Sequence, residues 1–211
     1  MPRAGARRLS REEEDRLFQG AEEATRFFMG RSDVQHALEK LARLLEEDGI
    51  PYAIVGAMAL NAYGYRRLTV DVDVLLTPAG LDEFKTKHLG LGYVSKFPGS
   101  KGLRDTENGV AIDVLLTGEY PGDGRPKPVA FPDPAEAAVH GERVALLPLA
   151  TLIELKLASG ISAPHRLKDL ADVLELVRIL KLPEEMAEDL DPYVQEKYRE
   201  IWRAAQAAER E

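Results

Sequence analysis

The chain has 211 residues, 45% hydrophobic and 30% charged, which fits one domain with appendages or two small domains around a sizeable core. Its net charge of −8 excludes a global basic field for gripping nucleic acid, and the absence of cysteine excludes disulfides, thiolate zinc sites and a Cys nucleophile. His36, His88, His140 and His165 show no ligand spacing and no apolar run reaches spanning length, so neither a zinc centre nor a membrane span is expected, and a cytoplasmic location is.

Residues 1–9 are basic and expected to fray. Ser10 followed by Glu13 reads as a capping box, predicting a helix to about Met29 with Leu17, Phe18, Ala21, Phe27 and Phe28 facing the core. Ser32 with Gln35 starts a second helix, carrying Val34, Leu38, Leu41, Leu44 and Leu45 at helical spacing and stopped by Gly49. Ile50 to Val55 reads as a short strand. Gly56 to Gly64 then reads as a compact helix bracketed by glycines. A strand that runs through Gly into a helix offers free N–H groups and a positive dipole end to an anion. Alone that signal is weak, because many such connections use Gly only for tight packing.

Leu68 to Leu76, Leu-Thr-Val-Asp-Val-Asp-Val-Leu-Leu, is the most informative stretch. It predicts a buried strand that nevertheless carries Asp71 and Asp73. Alternation puts both carboxylates on one face, about 7 Å apart. Like charges on an apolar strand repel and lose hydration, and a divalent cation is the simplest compensation, since hard cations take carboxylate oxygens. The bland alternative is an edge strand with a wet outer face. The basic pair Arg66-Arg67 just upstream serves either a surface ion-pair cluster or a phosphate.

Thr77-Pro78 opens a helix to about His88, followed by an extended segment from Tyr93 to Phe97 and a loop at 98–102 expected to be mobile. Leu103–Thr106 and Val110–Leu116 predict a hairpin closed around Asn108-Gly109, whose second arm places a third acid, Asp113, in an apolar strand. Gly118 to Pro134 reads as loop, and Val144 to Leu147 as a short extended piece. A helix from Pro148 through Leu157 carries Lys156 and is expected to stop at Gly160. The next, from Pro164, has an apolar face of Leu167, Leu170, Leu174, Val177 and Leu180. Its polar face of Arg166, Lys168, Asp169 and Asp172 is by default solvated. Two short helices end the chain, the last with Trp202.

Asp-x-Asp on a strand has three familiar uses. Haloacid-dehalogenase-type phosphatases need a Lys, a downstream acidic pair and an inserted cap, and no good acidic pair follows Asp113. Nucleotide-sugar glycosyltransferases normally use a longer chain. The third use is a nucleotidyltransferase site, where two Asp on one strand and one on a neighbour hold two Mg²⁺.

The run from Val55 to Asp73, followed by Ala111-Ile-Asp-Val114, resembles the minimal nucleotidyltransferase superfamily with its DNA polymerase beta-like fold. Within it the likeness is greatest to AbiEii-type toxins and related bacterial nucleotidyltransferases, and it spans about Val34 to Leu180. Arg67, Thr69, Asp71 and Asp73 match the family's Arg-x-Thr-x-Asp-x-Asp strand; at the phosphate turn Gly56 matches, while Ala57 replaces the second Gly or Ser. Ala57 keeps its backbone N–H but demands a negative φ. The helices carrying Lys156 and Asp169 look like the family's C-terminal elements.

The resemblance implies an α/β (α+β) fold, a small mixed sheet flanked by helices. Its divisions are an N-terminal helical extension (1–31), a catalytic core (32–147) and a helical C-terminal region (148–211). It implies Asp71, Asp73 and Asp113 as metal ligands and catalytic residues. Gly56, Ala57, Arg67, Thr69, Lys156 and Asp169 would bind nucleotide. Two Mg²⁺ ions, with Mn²⁺ as the alternative, would serve transfer of NMP from an NTP to a hydroxyl of tRNA, a protein or a small molecule. A cognate toxin or antitoxin partner is implied as well. The competing readings are a catalytically weak or inactive binding or antitoxin protein of the same fold, favoured mildly by Ala57, and a DxD phosphohydrolase.

Overall fold

The computed structural model describes residues 23–30 and 32–208. Most of the predicted N-terminal helix, with Ser10, Glu13, Leu17, Phe18 and Ala21, lies outside them; residues 23–28 are helical. Phe27 is buried, but Phe28 is 46% exposed, contrary to expectation. Consecutive helical residues point about 100° apart, so one of the pair turns outward, where Arg66 stacks over the Phe28 ring.

The predicted capping box at Ser32 and Gln35 forms and opens α1 (Asp33–Glu47). The chain then makes β1 (Tyr52–Ile54), α2 (Gly56–Ala62), β2 (Asp71–Leu76) and α3 (Pro78–His88), the last capped by Thr77 with Pro78 in its first turn. A meander of β3 (Tyr93–Ser95), β4 (Leu103–Asp105) and β5 (Ala111–Leu116) follows. After the long loop come a short helix α4 (Pro134–Ala137) and a small hairpin, β6 (Val139–His140) and β7 (Ala145–Leu146). Neither α4 nor β6 is foreshadowed by periodicity, being too short to show any. The chain closes with α5 (Leu149–Ser162), α6 (Leu167–Leu180) and α7 (Pro192–Ala208), joined by 3-10 turns.

Among the described residues the strands form one mixed sheet of seven, ordered β3-β4-β5-β2-β1-β7-β6. Strand parity sorts its two faces. Val72, Val74, Leu76, Ile112 and Val114 pack with Leu38, Leu41 and Leu45 of α1 and Phe84 of α3. The opposite parity, Ala53, Val55 and Leu75, packs under Leu152, Val173 and Tyr198 of the C-terminal helices. Each fully buried Leu is worth about 2 kcal/mol relative to exposure, so a one-residue slip of β2 is strongly disfavoured. The result is a mixed α/β fold with helices on both faces.

Several expectations need correction. β2 begins at Asp71 rather than Leu68, and Leu68 and Val70 are exposed, because pairing with β5 starts only at Asp71. The 98–102 segment is a tied turn: Lys85 Nζ donates to the Ser100 carbonyl at 2.7 Å and the Gly102 N–H to Ser100 Oγ at 3.1 Å. Gly160 does not stop its helix; α5 continues to Ser162. A Cβ there would lie 2.4 Å from Leu170, so this glycine lets α5 and α6 approach. Leu167 is 68% exposed, and α6 instead buries Asp172, Val173, Leu176 and Val177. The last helix is not short: α7 has 17 residues, with Trp202 Nε1 donating to the Leu182 carbonyl.

Candidate active site

Two strand relations place the acids. β2 and β5 run parallel with Asp73 opposite Asp113, so the carboxylates of neighbouring strands share one rung, and Asp71 stands on the same face. β1 runs antiparallel to β2, with Ile54 opposite Val74, so the chain leaves β1 beside Asp73. The Val55 N–H donates to the Asp73 carbonyl at 3.0 Å, and Gly56 follows at once as the first residue of α2. Gly56 has φ +59°, and a Cβ on it would sit 1.8 Å from Asp73 Oδ2. Glycine is thus required here twice over, for the left-handed backbone and for the close approach. Ala57 is buried in helical geometry with no positive φ, as its side chain demands.

Asn61 fastens this turn to the next segment. Its Nδ2 donates to the Ala57 and Arg67 carbonyls at 2.8 and 2.7 Å, and its Oδ1 accepts from the Arg67 N–H at 3.0 Å. Arg67 is thereby aimed inward while Arg66 points out to Phe28. The Arg67 guanidinium donates to Asp172 Oδ2 at 2.7 Å, and Lys156 Nζ reaches the same oxygen at 2.7 Å and Asp169 at 3.0 Å. Ser159 Oγ donates to Asp169 Oδ2 at 2.7 Å. Burial acts to raise the Asp169 pKa, yet Lys156 and Ser159 hold it below the usual carboxylate range. Of the face expected to be solvated, Asp169 and Asp172 are therefore part of a wall of paired charges, while Arg166 and Lys168 are exposed as expected.

The acids themselves are treated unequally. Thr69 Oγ1 donates to Asp71, and Lys96 Nζ donates to Asp113. Among the described residues no hydrogen bond reaches the Asp73 carboxylate. Its pKa is pushed up to about 6 by burial first, then by Asp71 and Asp113, against opposing pulls from Lys156 and Arg67. Asp105 on β4 shows the contrasting solution. It is fully buried, yet Lys40 at 2.7 Å, Asn108 at 2.6 Å and the Glu107 N–H at 3.2 Å supply its partners. Burial would raise its pKa, but Asn108 and Lys40 hold it below the usual range. An acid in a strand needs no metal when the fold supplies donors; Asp73 has none.

That carboxylate, without a side-chain hydrogen bond and flanked by two more carboxylates, has the oxygen chemistry that a hard divalent cation takes. The side chains are not gathered as a cage: among the described residues no three His, Cys, Asp or Glu are positioned to hold a metal ion together. Lys96 and Thr69 occupy oxygens of the two outer acids.

The Asp73 shift has a measurable sign. The folded-state pKa lies above the ordinary 3.8, so the ionisation cost is absent below about pH 4, grows up to about pH 6, and stays above it. Without divalent ions, Asp73→Asn is expected to be more stable than wild type at pH 7 by on the order of 2 kcal/mol. The two melting curves should converge near pH 4, and a gap independent of pH would contradict the electrostatic account.

The three acids, the Gly56 turn, Arg67, Thr69, Lys96, Lys156, Ser159 and Asp169 line one open cleft of about 1250 Å³, which also takes in Phe97, Tyr120 and Phe131. The residues that the resemblance assigns to the site, Gly56, Ala57, Arg67, Thr69, Asp71, Asp73, Asp113, Lys156 and Asp169, all line it. Sequence reasoning missed Lys96, Asn61, Ser159 and the inward turn of Asp172. One signal was available for the last two, since Lys156 is the sole basic residue of the apolar run Leu149–Ser162 and a half-buried ammonium demands carboxylate partners. Asn61 and Lys96 carried none, because an isolated Asn or Lys between elements is ordinary.

No family model matches the chain, and no curated protein matches it. Among solved structures the chain is similar to the antibiotic-resistance factor ANT(2'')-Ia in solution, with 16% identity over 81% of this chain and 91% of that one, TM-score 0.48. It is also similar to crystalline ANT(2'')-Ia in complex with adenylyl-2''-tobramycin, with 15% identity over 80% and 96% of the two chains, TM-score 0.48. At that identity and score the likeness decides nothing about chemistry, which rests on the side chains themselves.

Proposed function

We propose that the chain is a metal-dependent nucleotidyltransferase, moving an NMP from an NTP to an acceptor hydroxyl. The carrying observation is the rung that sets Asp73 beside Asp113, with Asp71 on the same face and the Gly56 turn against Asp73. Asp71, Asp73 and Asp113 would hold two Mg²⁺ ions, Mn²⁺ being the alternative, and the ions would supply Lewis-acid charge at the α-phosphate and a more acidic acceptor hydroxyl.

The remaining roles belong to the chain itself. The first N–H groups of α2, at Gly56 and Ala57, lack intrahelical acceptors and would take the β- and γ-phosphates. Arg67 and Lys156 neutralise the phosphate charge, and Asp169 and Asp172 hold Lys156 in place. Thr69 orients Asp71. Asp113 takes the acceptor's proton as the acceptor oxygen bonds to the α-phosphorus. The bond from that phosphorus to the β-phosphate oxygen breaks, and pyrophosphate leaves.

The acceptor, whether on tRNA, a protein such as a cognate toxin, or a small molecule, is sorted by following transferred label into each fraction of a cell extract. The second reading is a non-catalytic protein that keeps the fold, favoured by the Lys96 grip on Asp113 and by Ala57. A melting-temperature titration separates the two. Nucleotidyl transfer requires stabilisation by NTP that depends on Mg²⁺, about 2.7 kcal/mol at a hundredfold excess over Kd. No metal-dependent shift with any of the four NTPs would remove the catalytic reading.

A further inference from the structure

We infer that Lys96 is a built-in counter-cation of the site, holding Asp113 while no divalent ion is bound and yielding it when one enters. This rests on the reading of Asp71, Asp73 and Asp113 as metal ligands.

Lys96 directly follows β3, at the start of the turn into β4, and its Nζ donates to Asp113 Oδ1. The turn is fixed at its base, where the Lys96 N–H donates to the Gly102 carbonyl at 3.0 Å. Gly102 has no side chain in the path of the lysine stem. A Cβ there would lie 3.0 Å from Lys96 Cδ and 3.4 Å from both Lys96 Cε and the Ile112 carbonyl. The hairpin thus provides a slot that lays the stem across toward β5. The neighbouring Lys101 makes a second bridge of the same kind, to Glu119 just beyond β5.

The two ends of the Lys96 bridge differ from the deeper pairs of the site. The Lys96 and Asp113 side chains are 31% and 46% exposed, whereas Asp172, held by Arg67 and Lys156, is 3% exposed. An exposed pair is weak, worth no more than a few-fold in an equilibrium, and a divalent ion can break it. A buried pair is not released so cheaply. The fold therefore places a fixed wall of charge on the α5–α6 side and a releasable cation on the hairpin side.

Entry of the ion would free Lys96 next to the cleft, where its charge becomes available to the anionic substrate. Metal loading and substrate attraction would then be coupled through one side chain.

The test uses the full chain without nucleotide. Mn²⁺ loading is followed by electron paramagnetic resonance in wild type and Lys96→Met, which keeps the stem and removes the charge. In parallel, the amine reactivity of Lys96 in wild type is measured by peptide mapping after a brief acylation pulse, with and without Mn²⁺. The expected result is half-loading of Lys96→Met at roughly two- to fivefold lower Mn²⁺, and a Lys96 that reacts faster once Mn²⁺ is bound. Equal half-loading of both proteins overturns the inference. So does an unchanged Lys96 reactivity on loading, since the lysine would then act by its field without moving. Absence of Mn²⁺ binding in either protein removes the metal site itself, and is thereby distinguished from failure of the counter-cation alone.

Discussion

Asp71→Ala and Asp113→Ala are each expected to lower NTP-dependent transfer by at least about a thousandfold, on the order of 4 kcal/mol of transition-state stabilisation. The melting temperature is expected to stay level or rise. The two expectations together are the diagnostic. Asp71 and Asp113 stand on one sheet face with Asp73 between them in charge terms, and both raise its pKa. Removing either relieves repulsion in the metal-free protein while taking away an oxygen ligand. A structural acid behaves in the opposite way. Asp105 holds Lys40, Asn108 and the Glu107 N–H, so its loss would leave buried donors unpaired and destabilise the fold without touching the cleft. Full turnover in either Asp71→Ala or Asp113→Ala would sink the assignment.

The largest stability effect is expected at Gly56. Alanine there must adopt φ near +59° and place its Cβ 1.8 Å from Asp73 Oδ2, so the turn or the β2 side chain has to move. The expected cost is roughly 2–4 kcal/mol. Gly99→Ala is the control, because Gly99 also has positive φ (+79°) but nothing lies within 4 Å of its added Cβ. It should show only the backbone penalty of about 1 kcal/mol. Thermal melts of the two variants would separate the terms, and equal losses would mean that the approach of Gly56 to Asp73 contributes nothing.

Periodicity reported most of the sheet and the helices that cover it. Val72, Val74 and Leu76 alternate with Asp71, Asp73 and Leu75, and that alternation alone is enough to orient β2. The three acids were legible because a carboxylate in an apolar strand is an electrostatic exception. What could not be read is how far each exception is relieved. Asp105 sits in a short strand between turn residues and is satisfied by donors from a distant helix and a nearby turn, a tertiary fact with no local trace. Asp172 was hidden for a related reason: a charged stripe on a helix looks solvated until Lys156 and Arg67 are brought against it from two other elements. Gly160 was misread as a stop because a glycine's role in close helix packing depends on the partner, here Leu170, and not on its own neighbours.

The central claim is that Asp71, Asp73 and Asp113 support metal-dependent transfer of a nucleotidyl group. Its most direct test supplies NTPs labelled either at the α- or at the γ-phosphate, with Mg²⁺ and total cell extract, and asks which label becomes covalently attached. The account requires attachment of the α-label alone, with γ-label released in pyrophosphate, and loss of attachment on chelation or in Asp113→Ala. Attachment of the γ-label, or α-label transfer that survives chelation and the loss of Asp113, would contradict it.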